Sequence, residues 1–218
     1  MDKLISGVTE FSKTSFHERR ELFAELANGQ SPEVLLITCS DSRIDPNLIT
    51  QTQPGDLFIC RNAGNIVPPH SSNTGGITAS IEFAVEVLGV QHIVVCGHSD
   101  CGAMKGAMNR EAIKHLPHVS NWLGHISAAA ARVKARHDGT LCNDHLAELT
   151  EENVIMQLKH LETHPSVSAR LATGDIELHG WVYDIAKGTV VCYDQNSARF
   201  VPIADRYASI LHRLRKTA

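Results

Sequence analysis

No Cys-x-x-Cys pair occurs in this 218-residue chain, although it holds six cysteines, at positions 39, 60, 96, 101, 142 and 192. That absence excludes the thioredoxin-type redox motif and the structural zinc ribbon together. Six thiols are also few for a disulfide scaffold of this length. In a reducing compartment they read as buried small hydrophobes or metal ligands. Missing as well is any apolar run near the roughly 18 residues needed to span a bilayer, so no membrane span is expected. The N-terminal MDKLISGVTEFSK lacks the apolar core and cleavage site of a secretory signal. The expected location is cytoplasmic. A basic excess is lacking too: the formal net charge of -4 leaves no electrostatic footprint for nucleic acid. Neither an internal repeat nor a long Pro/Gly/Ser linker divides the sequence.

What remains is patterned as one α/β domain. Residues 1–30 read as an N-terminal helical arm, with Phe16, Leu22, Phe23 and Leu26 at helical spacing and Gly29 as the stop. It is either an arm that packs on a partner subunit or an ordinary covering helix. Residues 31–218 read as a single α/β domain. Three β-branched runs, 34–38 (VLLIT), 57–60 (LFIC) and 92–96 (HIVVC), predict buried parallel strands. Between the last two, 75–89 predicts an amphipathic helix through Ile77, Ile81, Ala84, Val85 and Leu88. Strand, helix, strand implies a right-handed crossover and a central, mostly parallel sheet flanked by helices. Residues 102–135 and 144–162 read as further helices. A late antiparallel hairpin is expected from 176–185 and 189–193 around Lys187-Gly188, then a C-terminal helix over 203–214.

In open α/β sheets, sites gather at the carboxyl ends of strands. Here those ends carry Cys39-Ser40-Asp41-Ser42-Arg43, Arg61-Asn62-Ala63-Gly64-Asn65 and Gly97-His98-Ser99-Asp100-Cys101-Gly102. His98 and Cys101 lie three apart, a spacing at which one tight turn aims two side chains at one ion, and Gly97 and Gly102 are read as freeing that turn. With Cys39 from another strand, two thiolates and an imidazole make a tetrahedral N/S set that suits zinc. Three protein ligands leave a fourth position for water, the mark of a catalytic site. Each residue alone has a plainer reading, Cys39 as core filler and His98 as a satisfied structural histidine. The charged Ser-Asp-Ser-Arg after Cys39 argues against that. A phosphatase loop is excluded because only three residues separate Cys39 from Arg43. Asp41 and Arg43, two apart, predict a bidentate ion pair. The carboxylate would either orient a metal-bound hydroxide or itself fill the fourth position and switch the site off.

The blocks CSDSRI (39–44), PGDLFICRNAGNIVP (54–68), ASIEFAVEVLGVQHIVVCGHSDCGAMKG (79–106) and ELHGWVYDI (177–185) resemble the β-class carbonic anhydrases over nearly the whole chain, and in particular the plant-type branch with its cyanobacterial members. The resemblance implies one Zn2+ per chain at Cys39, His98 and Cys101, an Asp41–Arg43 dyad, and a homodimer or dimer-based higher oligomer. It implies a zinc-dependent, reversible hydration of carbon dioxide to bicarbonate and a proton by zinc-hydroxide attack, with hydrolysis of carbonyl sulfide or carbon disulfide as the alternative. A zinc-storing scaffold without turnover is disfavoured because ligands and dyad are all present. Gln30 and Phe58 match pocket residues of the family, and Phe83 stands where a tyrosine is common. Ile44 and Val67 are further apolar candidates, and Gln30 with backbone N–H groups near Gly102 is expected to hold product oxygens. The other branch has an inhibitory bicarbonate site around a tryptophan; here that position is Leu36, although Arg61 matches, so no inactivation of that kind is expected. The ending soon after Leu214 argues against carboxysome targeting. Two thiolates on the metal predict a water pKa above the usual zinc value near 7. Cys60, Cys96, Cys142 and Cys192 are read as packing residues, and no second metal site is expected from His115, His118 and His125. Trp181 and Tyr183 are expected to pack in the hairpin or at a subunit contact. No one of the thirteen histidines stands out as the proton relay.

Overall fold

The computed structural model describes residues 1–71 and 75–217. Three short helices come first: α1 (Asp2–Lys13), α2 (Ser15–Glu18) and α3 (Arg20–Leu26). The arm is therefore broken at Thr14 and Arg19, whose backbones leave the helical region. Its apolar face is left open, with Leu4, Ile5, Val8 and Phe11 exposed. Phe11, Phe16 and Phe23 stack among themselves. Leu26 bears closely on the body: a Cβ at Gly55 would fall 2.5 Å from its Cδ2, and Gly55 itself has φ +99.

The body follows in the expected order. Strand β1 (Val34–Cys39), helix α4 (Pro46–Thr50), β2 (Leu57–Asn62), α5 (Gly76–Glu82) and β3 (His92–His98) form the crossover unit. Beyond α5 a π-turn over Phe83–Val87 carries the helix on to Gly89, which closes it with φ +67. Then come α6 (Gly102–Met108), α7 (Pro117–Trp122), α8 (Ser127–Arg136), α9 (Leu146–Glu162) and α10 (Pro165–Thr173). Residues 102–135, expected to be helical, are a chain of short helices and 3₁₀ turns, interrupted before Pro117. Strands β4 (Glu177–Asp184), β5 (Thr189–Asp194) and β6 (Arg199–Pro202) precede α11 (Ile203–Arg206) and α12 (Ala208–Thr217).

The six strands make one mixed sheet in the order β2-β1-β3-β4-β5-β6. The first four run parallel, β5 is antiparallel to β4, and β6 is antiparallel to β5. β6 is a strand that the pattern did not announce, because at four residues it is too short for period-two alternation to stand out. The main core lies on one face, where Leu35, Ile37, Ile93 and Val95 pack against Ile81, Val154, Leu158 and Leu161. Close packing of α9 on the sheet needs glycine: a Cβ at Gly180 would lie 2.9 Å from Val154 Cγ1 and 3.0 Å from Leu158 Cδ1. A second core, around Met104, Leu123, Ile126 and Leu149, backs the carboxyl ends of β1 and β3. Among the described residues no helix is long and apolar enough to cross a membrane.

Candidate metal centre

Parallel β1 and β3 are neighbours, with Thr38 in register with Cys96, so Cys39 and His98 both emerge at the carboxyl edge of the sheet. The chain leaving β3 turns sharply at Asp100, which holds φ +59, and brings Cys101 to the N-cap of α6. The freedom for that turn therefore lies at Asp100, not at Gly97 or Gly102, neither of which has positive φ. Gly97 is required for another reason: a Cβ there would meet Val154 Cγ2 at 3.0 Å and Thr150 Cγ2 at 3.2 Å.

Ligand atoms of Cys39, His98 and Cys101 all lie within 4.8 Å of one another, and all three residues are buried. The two sulfurs are 4.0 Å apart, within the span of two Zn–S bonds of about 2.3 Å. His98 Nδ1 lies 2.9 Å from the Ser99 carbonyl. A carbonyl only accepts, so Nδ1 carries the proton and Nε2 presents a lone pair. That Nε2 is buried without a hydrogen-bond partner, an arrangement costing about 1–3 kcal/mol unless something accepts the lone pair. The Cys39 thiol is pushed down to about 4, chiefly by its contact with Cys101 and further by the N–H groups of Gly64 and Asp41, against its burial. Its neighbour Cys101 is pushed up by Cys39 and by burial, against the N–H groups of Met104 and Ala103. Two adjacent buried thiolates repel unless a cation lies between them, so this donor set fits a soft dication such as zinc.

Beside the centre stands the dyad. Arg43 Nε and Nη2 donate to Asp41 Oδ1 and Oδ2 at 2.9 and 2.8 Å, and the Arg43 amide adds a third bond to Oδ1. Asp41 Oδ2 lies 3.8 Å from His98 Nε2. The Arg43 guanidinium holds the Asp41 carboxyl well below the usual carboxylate range. Arg43 in turn donates to the Asp100 carboxylate and carbonyl, and Asp100 is paired with Lys105. Thus the residue that makes the turn after His98 also anchors the dyad. Sequence reading left Asp100 and Lys105 without a role, since nothing in the motif foretells a contact across the turn. In the sequence Arg61 stands at a strand end and matches a family position, with no contact foretold. It donates to the carbonyls of Cys39 and Asp41 at 3.0 and 2.8 Å, bracing the loop after Cys39, and its place just past the run 57–60 was the available signal.

The remaining pocket candidates divide. Ile44 is buried just past the dyad, with its amide on the Asp41 carbonyl, and Val67 sits in the main core. The amides immediately after Gly102, those of Ala103 and Met104, face the Cys101 sulfur. Phe58, Phe83 and Gln30 lie elsewhere. Phe58 is in register with Leu35, four residues before Cys39, about 13 Å away at the rise of a strand. Phe83 packs on Phe58 with ring centroids 6.0 Å apart and is half exposed. Gln30 borders a cleft beside Leu26, Val34 and Leu57, at the amino ends of the strands. Cys60, Cys96 and Cys192 are buried as packing residues, whereas Cys142 is exposed beside His145. Trp181 and Tyr183 pack partly buried on the face of Leu36, Val94 and Cys96.

Comparison with known proteins gives the family and the fold. The family model for carbonic anhydrase matches residues 34–190. A carbonic anhydrase of Pseudomonas aeruginosa is 47% identical over 94% of this chain and 93% of its own length. A cyanobacterial one, from Synechocystis, is 45% identical over 89% of this chain and 71% of its own. The solved β-carbonic anhydrase CcaA superposes with a TM-score of 0.90 at 44% identity, covering 93% of this chain and 91% of that one. A tetrameric β-carbonic anhydrase from Sordaria macrospora gives 0.76 at 33% identity, covering 88% and 95%.

Proposed function

The chain belongs to the carbonic anhydrase family, in its β class, and from that premise we propose that it interconverts carbon dioxide with bicarbonate and a proton at a zinc ion held by Cys39, His98 and Cys101. The observation that carries this reading is the unpartnered, buried Nε2 of His98, aimed between two sulfurs and beside a carboxylate. When bound there, zinc supplies Lewis acidity, lowering the pKa of a coordinated water from 15.7 toward 7 so that hydroxide is available near neutral pH.

The chain's own residues do the rest. Asp41 stays ionised under the Arg43 guanidinium and accepts a hydrogen bond at Oδ2 from the attacking oxygen, which fixes the lone pair that faces carbon dioxide. Arg43, tied also to Asp100, keeps that carboxylate from swinging onto the ligand cluster. Ile44, buried beside the dyad, offers an apolar wall. Because the Ala103 and Met104 amides are directed at the Cys101 sulfur, the Gly102 amide is the one left near the centre for a product oxygen.

Gln30, Phe58 and Phe83 lie too far along the sheet to line this chain's own centre. We assign them to the pocket of a second copy, which makes the working unit a homodimer. Two features support that: the open apolar face of α1 and the tetrameric relative. Six free cysteines suit a reducing compartment, and we place the enzyme in the cytoplasm. Stopped-flow hydration of carbon dioxide, run beside a carbonyl sulfide assay on the same zinc-loaded protein, tests the reading. A higher kcat/KM for the sulfide, or equal rates for wild type and Asp41→Asn, would overturn it.

A further inference from the structure

At the other end of the sheet a second cluster of metal-ligating side chains has formed. His92 opens β3 and Glu177 opens β4, and the two are paired in register, so their side chains share a face. His179, two residues on along β4, projects to that same face. His92 Nδ1 and His179 Nε2 are 3.1 Å apart, and Glu177 Oε2 lies 3.8 Å from His179 Nε2. The three ligand atoms are all within 4.8 Å of one another. We propose that His92 Nδ1, His179 Nε2 and the Glu177 carboxylate form a second divalent-metal site, distinct from the cysteine centre.

The distances allow it. Two metal–nitrogen bonds of about 2.0–2.1 Å reach across 3.1 Å with a bond angle near that of a tetrahedron or octahedron. The outer shell is present as well: the Tyr207 hydroxyl lies 3.1 Å from His179 Nδ1. With Nδ1–H donating to that oxygen, Nε2 offers its lone pair toward His92, the arrangement that orients a ligating histidine. In the metal-free chain the other end of the 3.1 Å contact must then be a proton on His92 Nδ1. Metal takes its place when His92 shifts to the Nε2–H tautomer, so no net charge has to leave the protein.

Charge also permits an ion. Arg206 is the nearby cation, and its Nε is paired with Asp194 Oδ1 at 3.3 Å. His179 is largely buried while the Glu177 side chain is 70% exposed, which leaves one open side for entry and for water ligands. Two imidazoles and a carboxylate suit zinc, cobalt, nickel or copper(II) rather than calcium or magnesium. Six steps along β3 carry His92 to His98, about 20 Å at 3.3 Å each, so the two ions would not share ligands. Through Tyr207 the site also ties β3 and β4 to the segment joining α11 and α12, so metal there should raise the melting temperature.

Full-length protein equilibrated with buffered free zinc, then with cobalt, provides the test. Wild type should hold two ions per chain, and Glu177→Gln and His92→Gln one each. Cys101→Ser should still hold the second. Tyr207→Phe should weaken the second ion roughly tenfold or more. Cobalt at the first centre gives intense thiolate charge-transfer bands and at the second only weak ligand-field bands, so the two are counted separately whatever the activity proves to be. One ion per chain in the wild type would refute the site. So would a second ion that persists in both Glu177→Gln and His92→Gln.

Discussion

Both carboxylate oxygens of Asp41 are taken by a single guanidinium, that of Arg43, which at the same time grips the turn at Asp100. The planar fork of arginine makes this possible; an ammonium would hold one oxygen at a time. Arg43→Lys should therefore keep the charge but loosen the carboxylate, and kcat/KM for carbon dioxide hydration should fall roughly 10–100-fold, the usual cost of losing an orienting partner. Zinc content should stay at the wild-type value. Unchanged kinetics in this variant would show that the bidentate geometry does nothing for turnover.

Thiol reactivity offers a second check, because the six cysteines sit in three different environments. Burial raises the thiol pKa at Cys60, Cys96 and Cys192, to about 12 for Cys96, and leaves them inert. Cys142 is exposed. In metal-loaded protein, iodoacetamide should add one group, at Cys142. After chelation, Cys39, pushed down to about 4, should become the next site labelled. Peptide mass mapping with and without chelator reads this directly, and labelling of Cys39 at the same rate in both samples would contradict metal ligation by its sulfur.

The parts of this architecture that could be read from sequence are those in which chemistry and periodicity coincide. The runs ending at Cys39 and His98 are apolar on both sides because helices or loops cover both faces of a parallel strand, so their ends, and the soft ligands placed there, stood out. The bracing of the site was less visible. Asp100 looks like any acidic turn residue until the turn is folded and its carboxylate meets Arg43. Gly97 and Gly180 look like breakers, yet their role is to let Val154 approach the sheet. The interruption at Pro117 is marked by the proline itself, whereas the π-turn at Phe83–Val87 depends on tertiary packing, which overrides a helical pattern without leaving a local mark. The His92–His179 contact needs the β3–β4 register, which no local pattern encodes.

The N-terminal arm carries its own prediction. Helix α1 exposes Leu4, Ile5, Val8 and Phe11 along one side, an apolar stripe that an isolated chain gains nothing by displaying. Deleting residues 2–13 should shift the sedimenting species toward monomer and depress carbon dioxide hydration, because Gln30, Phe58 and Phe83 then no longer reach a partner's centre. Zinc content and far-ultraviolet dichroism of the body should be retained. A deletion variant that remains dimeric and fully active would remove the arm from the assembly.

Packing of α9 against β4 gives a test of stability that is independent of the chemistry. A methyl group at Gly180 would press on Val154 Cγ1 at 2.9 Å, on Leu158 Cδ1 at 3.0 Å and on Tyr193 Cβ at 3.3 Å. Gly180→Ala should thus destabilise by about 1–3 kcal/mol through overpacking. Val154→Ala alone should also destabilise, by leaving a cavity. Val154 Cγ1 is the nearest of the atoms in the way, so the double variant should lose less than the two single changes summed, with a coupling of about 0.5–3 kcal/mol. Urea melts of the four proteins measure that coupling. Strict additivity would mean that the helix shifts as a body and that the glycine is not what sets its distance from the sheet.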